Sequence, residues 1–461
     1  MRIIYLIFIL LLTACAPALK EGQVMTSQGI VEGTAEQGVK AYLGLKYASA
    51  ARWEAPVPTP KAKGVTQLDT YGEACPQSGQ GGIGEQLMTE DCLYLNVFTP
   101  EDAAADSRYP VMVVFHGGGY RAGAGGAGGA VLARDGVVVV TFNYRLGALG
   151  FYDYAGWEAG GIRNFGLLDQ VEVLKWVKAN IKGFGGDPDN VTIAGHSAGG
   201  MSVQLMMVNP KARSLFNKAI ARAGYSSWPL PKAANLSDEA RAVIKLASIE
   251  GQSLKQLVDS TPHFVLPFMD TPQIPKQPIE IFREGGAAKV PYISGANSYD
   301  GHRVLYGAGY TPESFLALYG DKLETVKTLY QGDFKSSEAQ AAQRLFGDAR
   351  YLISARETVR AQGDNGAPAW LYYVNASVPN LPGTPHGAET SLVWSPRPNP
   401  MKKYWLNFLR TGDPNSADAP DWPAHTANTD SWMIFDSLPK PATDLLTDKL
   451  DFINANPVGG Q

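Results

Sequence analysis

No stretch of this chain constrains its fold more than Val191 to Gly200. Val191-Thr192-Ile193-Ala194, rich in β-branched side chains, runs directly into Gly195-His196-Ser197-Ala198-Gly199, and a helical run with Met201, Val203, Leu205 and Met206 follows. Strand, sharp turn and helix in that order hold a serine hydroxyl out above the edge of a sheet, exposed as a nucleophile must be. The two glycines suit a turn tight enough to need unusual backbone angles and close neighbours. The helix N-terminus beneath the hydroxyl favours negative charge developing beside it.

The rest of the chain supplies the sheet that such a turn requires. Pro110–Phe115 and Val137–Phe142 are continuous apolar runs, as in strands buried on both faces. Leu93–Phe98, Ala219-Ile220-Ala221, Val290–Ser294, Trp370–Val374 and Met433–Phe435 read as further strands, and Gly29 to Gly44 as a hairpin. Leu167, Val171, Leu174, Val177 and Ile181 mark an amphipathic helix that stops at Gly183. Helices are also predicted with a cap at Ser237, from Thr311-Pro312, near Ser336, and over Met401–Leu409 with Gly412 past its end. Alternating buried strands and helices predict an α/β fold, a mainly parallel central sheet covered on both faces. Neither repeats nor a clear linker break the chain, so one domain over about 29–455 is expected, with helical insertions at about 230–290 and 303–365.

Net charge is −4, with 45 % apolar and 18 % charged residues. That balance, without a Lys/Arg cluster, excludes a nucleic-acid footprint and describes a folded globule. The N-terminus differs: Met1-Arg2 precedes an apolar run from Ile3 to Leu12, too short to span a bilayer and right for a signal-peptide core. It ends in Leu12-Thr13-Ala14-Cys15, which resembles a bacterial lipobox. On that reading residues 1–14 are a signal peptide, Cys15 is lipidated, and 15–28 tether an exported protein to a membrane. Export permits disulfides. The two remaining cysteines, Cys75 and Cys92, have sixteen residues between them and are expected to pair, closing a loop worth about 3 kcal/mol.

A serine hydroxyl needs a base to take its proton, and the base needs a third group to orient it. Behind a strand–turn serine, the chain order is serine, acid, histidine. His116 and His196 come too early, His263 precedes the acid candidate, and His302 is too close to it. His386, in a Pro-His-Gly-Ala-Glu loop just past a buried strand, and His425, expected at the surface, remain. Asp300, in the loop after the strand at 290–294, is the acid candidate, with Asp270 as competitor. Backbone N–H groups of Gly118, Gly119 and Ala198 can meet a developing oxyanion. Gly123-Ala124-Gly125-Gly126-Ala127-Gly128 matches a dinucleotide-binding pattern, but it begins too far beyond its strand.

These residues are joined by longer matches. Glu90-Asp91-Cys92-Leu93-Tyr94-Leu95-Asn96-Val97, Asn143-Tyr144-Arg145-Leu146-Gly147, Gly166-Leu167-Leu168-Asp169-Gln170, Phe184-Gly185-Gly186-Asp187-Pro188 and Thr411-Gly412-Asp413-Pro414-Asn415 resemble the type-B carboxylesterases, the cholinesterase-like branch of the α/β-hydrolase fold. The resemblance covers nearly the whole chain from about Gly29. It implies Ser197 as nucleophile, Asp300 as acid, His386 as base, a Cys75–Cys92 bridge, and neither metal nor cofactor. Three departures stand out: His196 where glutamate is usual, Asp300 where glutamate is commoner, and Ala223-Gly224 where Ser-Gly is frequent. The first removes an anion near the acyl site and argues against cationic alcohols. No aromatic residue lies between Cys75 and Cys92, so the choline site of true cholinesterases is missing. Trp228 is a candidate for the acyl pocket, with core packing as its other reading. The expected activity is hydrolysis of a small-molecule carboxylic ester. The alternatives are a non-catalytic surface binding module, or an acyltransferase or amidase using the same three residues.

Overall fold

A computed structural model of the chain describes residues 19–77, 88–126, 128–151, 164–232, 253–259, 261, 265–426 and 429–459. Residues 1–14, read above as a signal peptide, together with Cys15, the expected cap at Ser237 and His263, lie outside the described residues.

Eleven strands form the central sheet: β1 (Thr34–Glu36), β2 (Val39–Lys46), β3 (Tyr94–Pro100), β4 (Tyr109–Phe115), β5 (Val138–Phe142), β6 (Gly186–His196), β7 (Lys218–Arg222), β8 (Tyr292–Asn297), β9 (Ala369–Val374), β10 (Ser431–Phe435) and β11 (Pro439–Thr443). Their spatial order is β11-β10-β9-β8-β7-β6-β4-β5-β3-β2-β1. The seven strands from β5 across to β10 run parallel, and antiparallel strands finish both edges. The helices that cover the sheet include α1 (Phe165–Asn180), α2 (Ala198–Val208), α3 (Glu338–Gly347), α4 (Ile353–Asp364) and α5 (Pro400–Thr411).

The continuous apolar runs are explained by two cores, one on each face. Along β4, Val111, Val113 and Phe115 face a core with Leu167, Val171 and Leu174 of α1 and Met201 and Leu205 of α2. Met112, on the opposite face, joins a second core with Met401, Tyr404, Trp405 and Phe408 of α5. Period-two alternation within an unbroken apolar string is what a sheet covered on both sides requires. Helix α5 starts on the side chain of Asn399, which accepts the Lys402 N–H, and ends at Gly412 with φ 84°.

Several expectations shift. The helix of 165–181 closes at Asn180, and a 3₁₀ turn carries the chain on to Gly185, whose φ of 82° makes it the stop in place of Gly183. Strand pairing begins ahead of Gly29: Gln23–Thr26 pairs with Gly29–Glu32, which also pairs with Val65–Gln67 in a small separate sheet. The hairpin is therefore β1–β2 alone. β11, Pro-Lys-Pro-Ala-Thr, follows the last predicted strand. It carries no apolar pattern because it is an edge, where proline is tolerated.

The longer motifs prove to be structural joints. Arg145, from the Asn-Tyr-Arg-Leu-Gly segment, donates Nε and Nη2 to the two carboxylate oxygens of Asp169 in α1 at 2.9 and 2.8 Å, both side chains being buried. Asn143 accepts the Gly125 N–H and donates to the carbonyls of Glu73 and Cys92. Cys75 and Cys92 are bonded, with their Cα atoms 4.9 Å apart.

Candidate active site

The turn between β6 and α2 is as sharp as the sequence demands. Ser197 has φ 58° and ψ −122°, a conformation costing about 1–3 kcal/mol for a residue with a side chain. Its N–H donates to the Arg222 carbonyl (2.9 Å) and its carbonyl accepts the Met201 N–H (2.8 Å), so both neighbours hold the strained residue. A Cβ on Gly199 would lie 2.0 Å from the Phe115 carbonyl oxygen, and one on Gly195 would lie 2.3 Å from that of Gly199. Only glycine fits at either place.

Asp300 and His386 meet at the same edge of the sheet. His386 Nδ1 lies 2.8 Å from Asp300 Oδ1, and the carboxylate is fully enclosed. The other oxygen of Asp300 accepts the Asn297 N–H at 2.6 Å, so the turn after β8 fixes the acid against its own strand end. The two loops are clipped together as well: Tyr299 N–H donates to the Thr384 carbonyl, and Asn297 Nδ2 to that of Pro385. His386 is held between two rings, Tyr351 stacked at 4.8 Å and His196 at 4.5 Å between centroids. His196 immediately precedes Ser197. Thus Ser197, Asp300 and His386, far apart in sequence, converge beyond the carboxyl ends of β6, β8 and β9, where sites of open α/β sheets gather.

The glycine loop after β4 borders this cluster. A Cβ on Gly117 would meet the His196 carbonyl at 2.7 Å and the Ser197 Cβ at 3.4 Å. Gly118 has φ 108°, and its carbonyl turns back to accept the N–H groups of Arg121 and Ala122. Neither the Gly118 nor the Gly119 N–H donates a hydrogen bond among the described residues. Ala198 opens α2, where the N–H has no intrahelical acceptor. Three donors are thereby available around one serine. By contrast, the N–H groups of Gly123 and Gly125 are taken by Gln77 Oε1 and Asn143 Oδ1, both at 2.8 Å, which removes them from any phosphate cradle. His116 stacks on Tyr144 at 4.2 Å, and burial lowers its pKa to about 4, so it is uncharged at neutrality.

The remaining candidates lie elsewhere. His425, expected at the surface, is buried; its N–H donates to Ala369, and its ring faces Asp364 and Asp430. The Trp-Pro segment before it packs into the second core, which carries the histidine inward. Asp270 is exposed beside Lys232. His302 bonds Gln343 and stacks on Tyr299. Trp228 is enclosed, with its ring against Phe346 and the Arg350 guanidinium over it at 5.3 Å. Among the described residues no group of His, Cys, Asp or Glu side chains is gathered to hold a metal ion, and no helix is long and apolar enough to cross a membrane.

Three neighbours of the site were missed by the sequence reading. Tyr351 reaches His386 because residues 348–352, between α3 and α4, form a π-helical turn, which shifts the side-chain register by one position. Glu389, three residues beyond His386, is buried and accepts from Asn297 Nδ2 at 2.6 Å. The Pro-His-Gly-Ala-Glu string was the signal available for it. Asn297 read only as part of the loop between the strand at 290–294 and Asp300, whereas it is the last residue of β8.

Comparison with known proteins agrees with this geometry. Residues 20–453 match the profile of the carboxylesterase family. The para-nitrobenzyl esterase of Bacillus subtilis is 31 % identical over 90 % of this chain and 95 % of its own length. Liver carboxylesterase 1F of Rattus norvegicus is 30 % identical over 88 % of this chain and 87 % of its own. Among solved structures, a carboxylesterase of Geobacillus stearothermophilus superposes with a TM-score of 0.81 at 26 % identity, covering 95 % of this chain and all of that one. With its parallel sheet, strained serine turn and buried acid–imidazole pair, the chain belongs to the carboxylesterase family of α/β hydrolases.

Proposed function

We propose that Ser197 is the nucleophile, His386 the base and Asp300 the orienting acid of ester hydrolysis in this chain. Membership of the family makes the protein a carboxylic ester hydrolase; the assignment of roles to residues is our reading. Ser197 Oγ attacks the ester carbonyl while its proton passes to His386 Nε2. The oxyanion of the tetrahedral intermediate is met by the N–H groups of Gly118, Gly119 and Ala198, each such donor typically being worth about 10²–10³ in rate. The intermediate collapses with cleavage of the bond to the alcohol oxygen, which takes the proton from His386. Water, deprotonated by the same imidazole, then attacks the acyl-enzyme, releases the acid and restores Ser197.

The observation that carries this reading is the 2.8 Å contact between His386 Nδ1 and a fully enclosed Asp300. It favours a proton on Nδ1 and leaves Nε2 able to accept the serine proton. Turnover requires that Nε2 carry no proton when the serine attacks. Ser197→Ala should abolish hydrolysis of a p-nitrophenyl ester and labelling by a fluorophosphonate probe. Ordinary turnover by that variant would overturn the assignment.

An export signal over residues 1–14, lipidation at Cys15, a tether that ends before the strand Gln23–Thr26 in place of one reaching 28, and a single catalytic domain from that strand to about 455 complete the proposal. They rest on the apolar run and the Leu-Thr-Ala-Cys string. The esterase would then face the periplasm or cell exterior from a lipid anchor. Cys15→Ser should move it from the membrane fraction to the soluble fraction, and an unchanged distribution would refute the anchor.

A further inference from the structure

A second imidazole–carboxylate pair stands against the first, and the reaction as proposed does not use it. His196 Nε2 faces Glu389 Oε1 at 3.5 Å, and neither atom has a hydrogen bond of ordinary geometry among the described residues. Arg222 Nη1 stands 3.6 Å from the same oxygen, and the other oxygen of Glu389 accepts from Asn297 Nδ2. Asn297 also donates its backbone N–H to Asp300. One asparagine therefore links both carboxylates, and the two imidazoles that those carboxylates face are 4.5 Å apart.

Rings that close cannot both carry a proton near neutrality without strong repulsion. The groups around His196 are Glu389 and His386 from the loop after β9, Arg222 at the end of β7, Asp300 behind His386, and His116 across a cavity of about 410 Å³ that both histidines line. Tyr351 also stacks on His386. Burial first, then His386 and Arg222, hold the proton affinity of His196 well below that of an ordinary imidazole. His196 is therefore an uncharged neighbour of His386 at neutrality.

We propose that His196 is a positioning residue for His386: an uncharged ring, directed by Glu389, that braces the base beside the serine turn without placing a charge next to it. The inference rests on the catalytic reading above. It goes beyond that reading in giving His196 and Glu389 a role in the reaction.

The test is the pH profile of kcat and kcat/KM on a neutral p-nitrophenyl ester, with the full chain and its His196→Gln and His196→Glu variants. His196→Gln should lower kcat about 5–20-fold with KM within about twofold, and leave the acid limb within about 0.3 pH unit. His196→Glu, an anion beside the imidazolium, should move the acid limb up by about 1–2 units. An upward shift of a unit or more in His196→Gln would mean that His196 carried the proton, and would overturn the proposal. Unchanged kcat in that variant would also overturn it. Should His196→Glu fail to fold by circular dichroism, histidine ring-proton NMR of Ser197→Ala, assigned with His196→Gln, gives a second answer. One member of the pair titrating between pH 5 and 8 supports the proposal; two titrating refute it. Failure of the underlying reading is separable, because the wild type would then not be labelled at Ser197 by a fluorophosphonate.

Discussion

Replacing Asp300 by asparagine isolates what the enclosed carboxylate does. Asp300 has two partners of fixed polarity: the Asn297 N–H, which can only donate, at 2.6 Å, and His386 Nδ1 at 2.8 Å. An asparagine of the same shape must turn its oxygen toward Asn297, because an amide nitrogen there would face another donor. Its NH₂ is then presented to His386 Nδ1, which has to accept. The ring proton moves to Nε2, and the nitrogen needed for the Ser197 proton is blocked. The variant also removes the anion that faces the imidazolium formed in the transition state. At about 4 Å between charge centres and an effective dielectric of about 20, that attraction is about 4 kcal/mol, or about 10³ in rate. With the tautomer penalty added, kcat should fall about 10³–10⁴-fold at nearly constant KM. Shape is conserved, so Tm should change little. The assay is steady-state hydrolysis of p-nitrophenyl acetate, alongside the rate of fluorophosphonate labelling. Turnover and labelling both within about tenfold of wild type, in a variant that folds, would refute the orienting role.

Three further outcomes follow from single contacts. Tyr351→Phe keeps the ring stacked on His386 and should leave kcat within about threefold; Tyr351→Ala, which loses the stacking, should cost more, and equal kinetics for the two would contradict this. Asp348, at the start of the π-helical turn, accepts from the Tyr330 hydroxyl at 2.8 Å and is pushed from 3.8 to about 6, chiefly by burial. A folded-state pKa above the unfolded one means its stabilisation is complete below about pH 4 and lost as pH rises through about 6, a change of about 3 kcal/mol. Asp348→Asn should therefore match wild type in thermal denaturation at pH 4 and exceed it at pH 8; equal losses at both would exclude the argument. Cys75→Ser with Cys92→Ser should lower unfolding free energy in urea by about 3 kcal/mol, and an unmoved midpoint would show the loop to be held without the bridge.

Local physics made much of this protein legible before its tertiary structure. The serine turn is a contiguous string whose steric demands, strand then strained residue then helix, are met within ten positions. Buried parallel strands announce themselves as unbroken apolar runs, and the caps at Thr311 and Gly412 act over three or four residues. Chain order narrowed the candidates to Asp300 or Asp270 and to His386 or His425, and the fold brings Asp300 and His386 together although they are 86 positions apart. The fate of His425 was not legible, because whether a polar residue faces water depends on what folds over it.

Only the tertiary structure decided what surrounds the three residues. A π-helical turn changes which side of a helix a tyrosine faces, and no single-residue propensity encodes that shift. The approach of His196 to Glu389, and the Asn297 link between two carboxylates, join residues from three separate strand ends. A side chain's own backbone is determined by its neighbours in sequence, whereas its protonation and reach are determined by neighbours in space. The serine turn was therefore written locally, and its surroundings were assembled by the sheet.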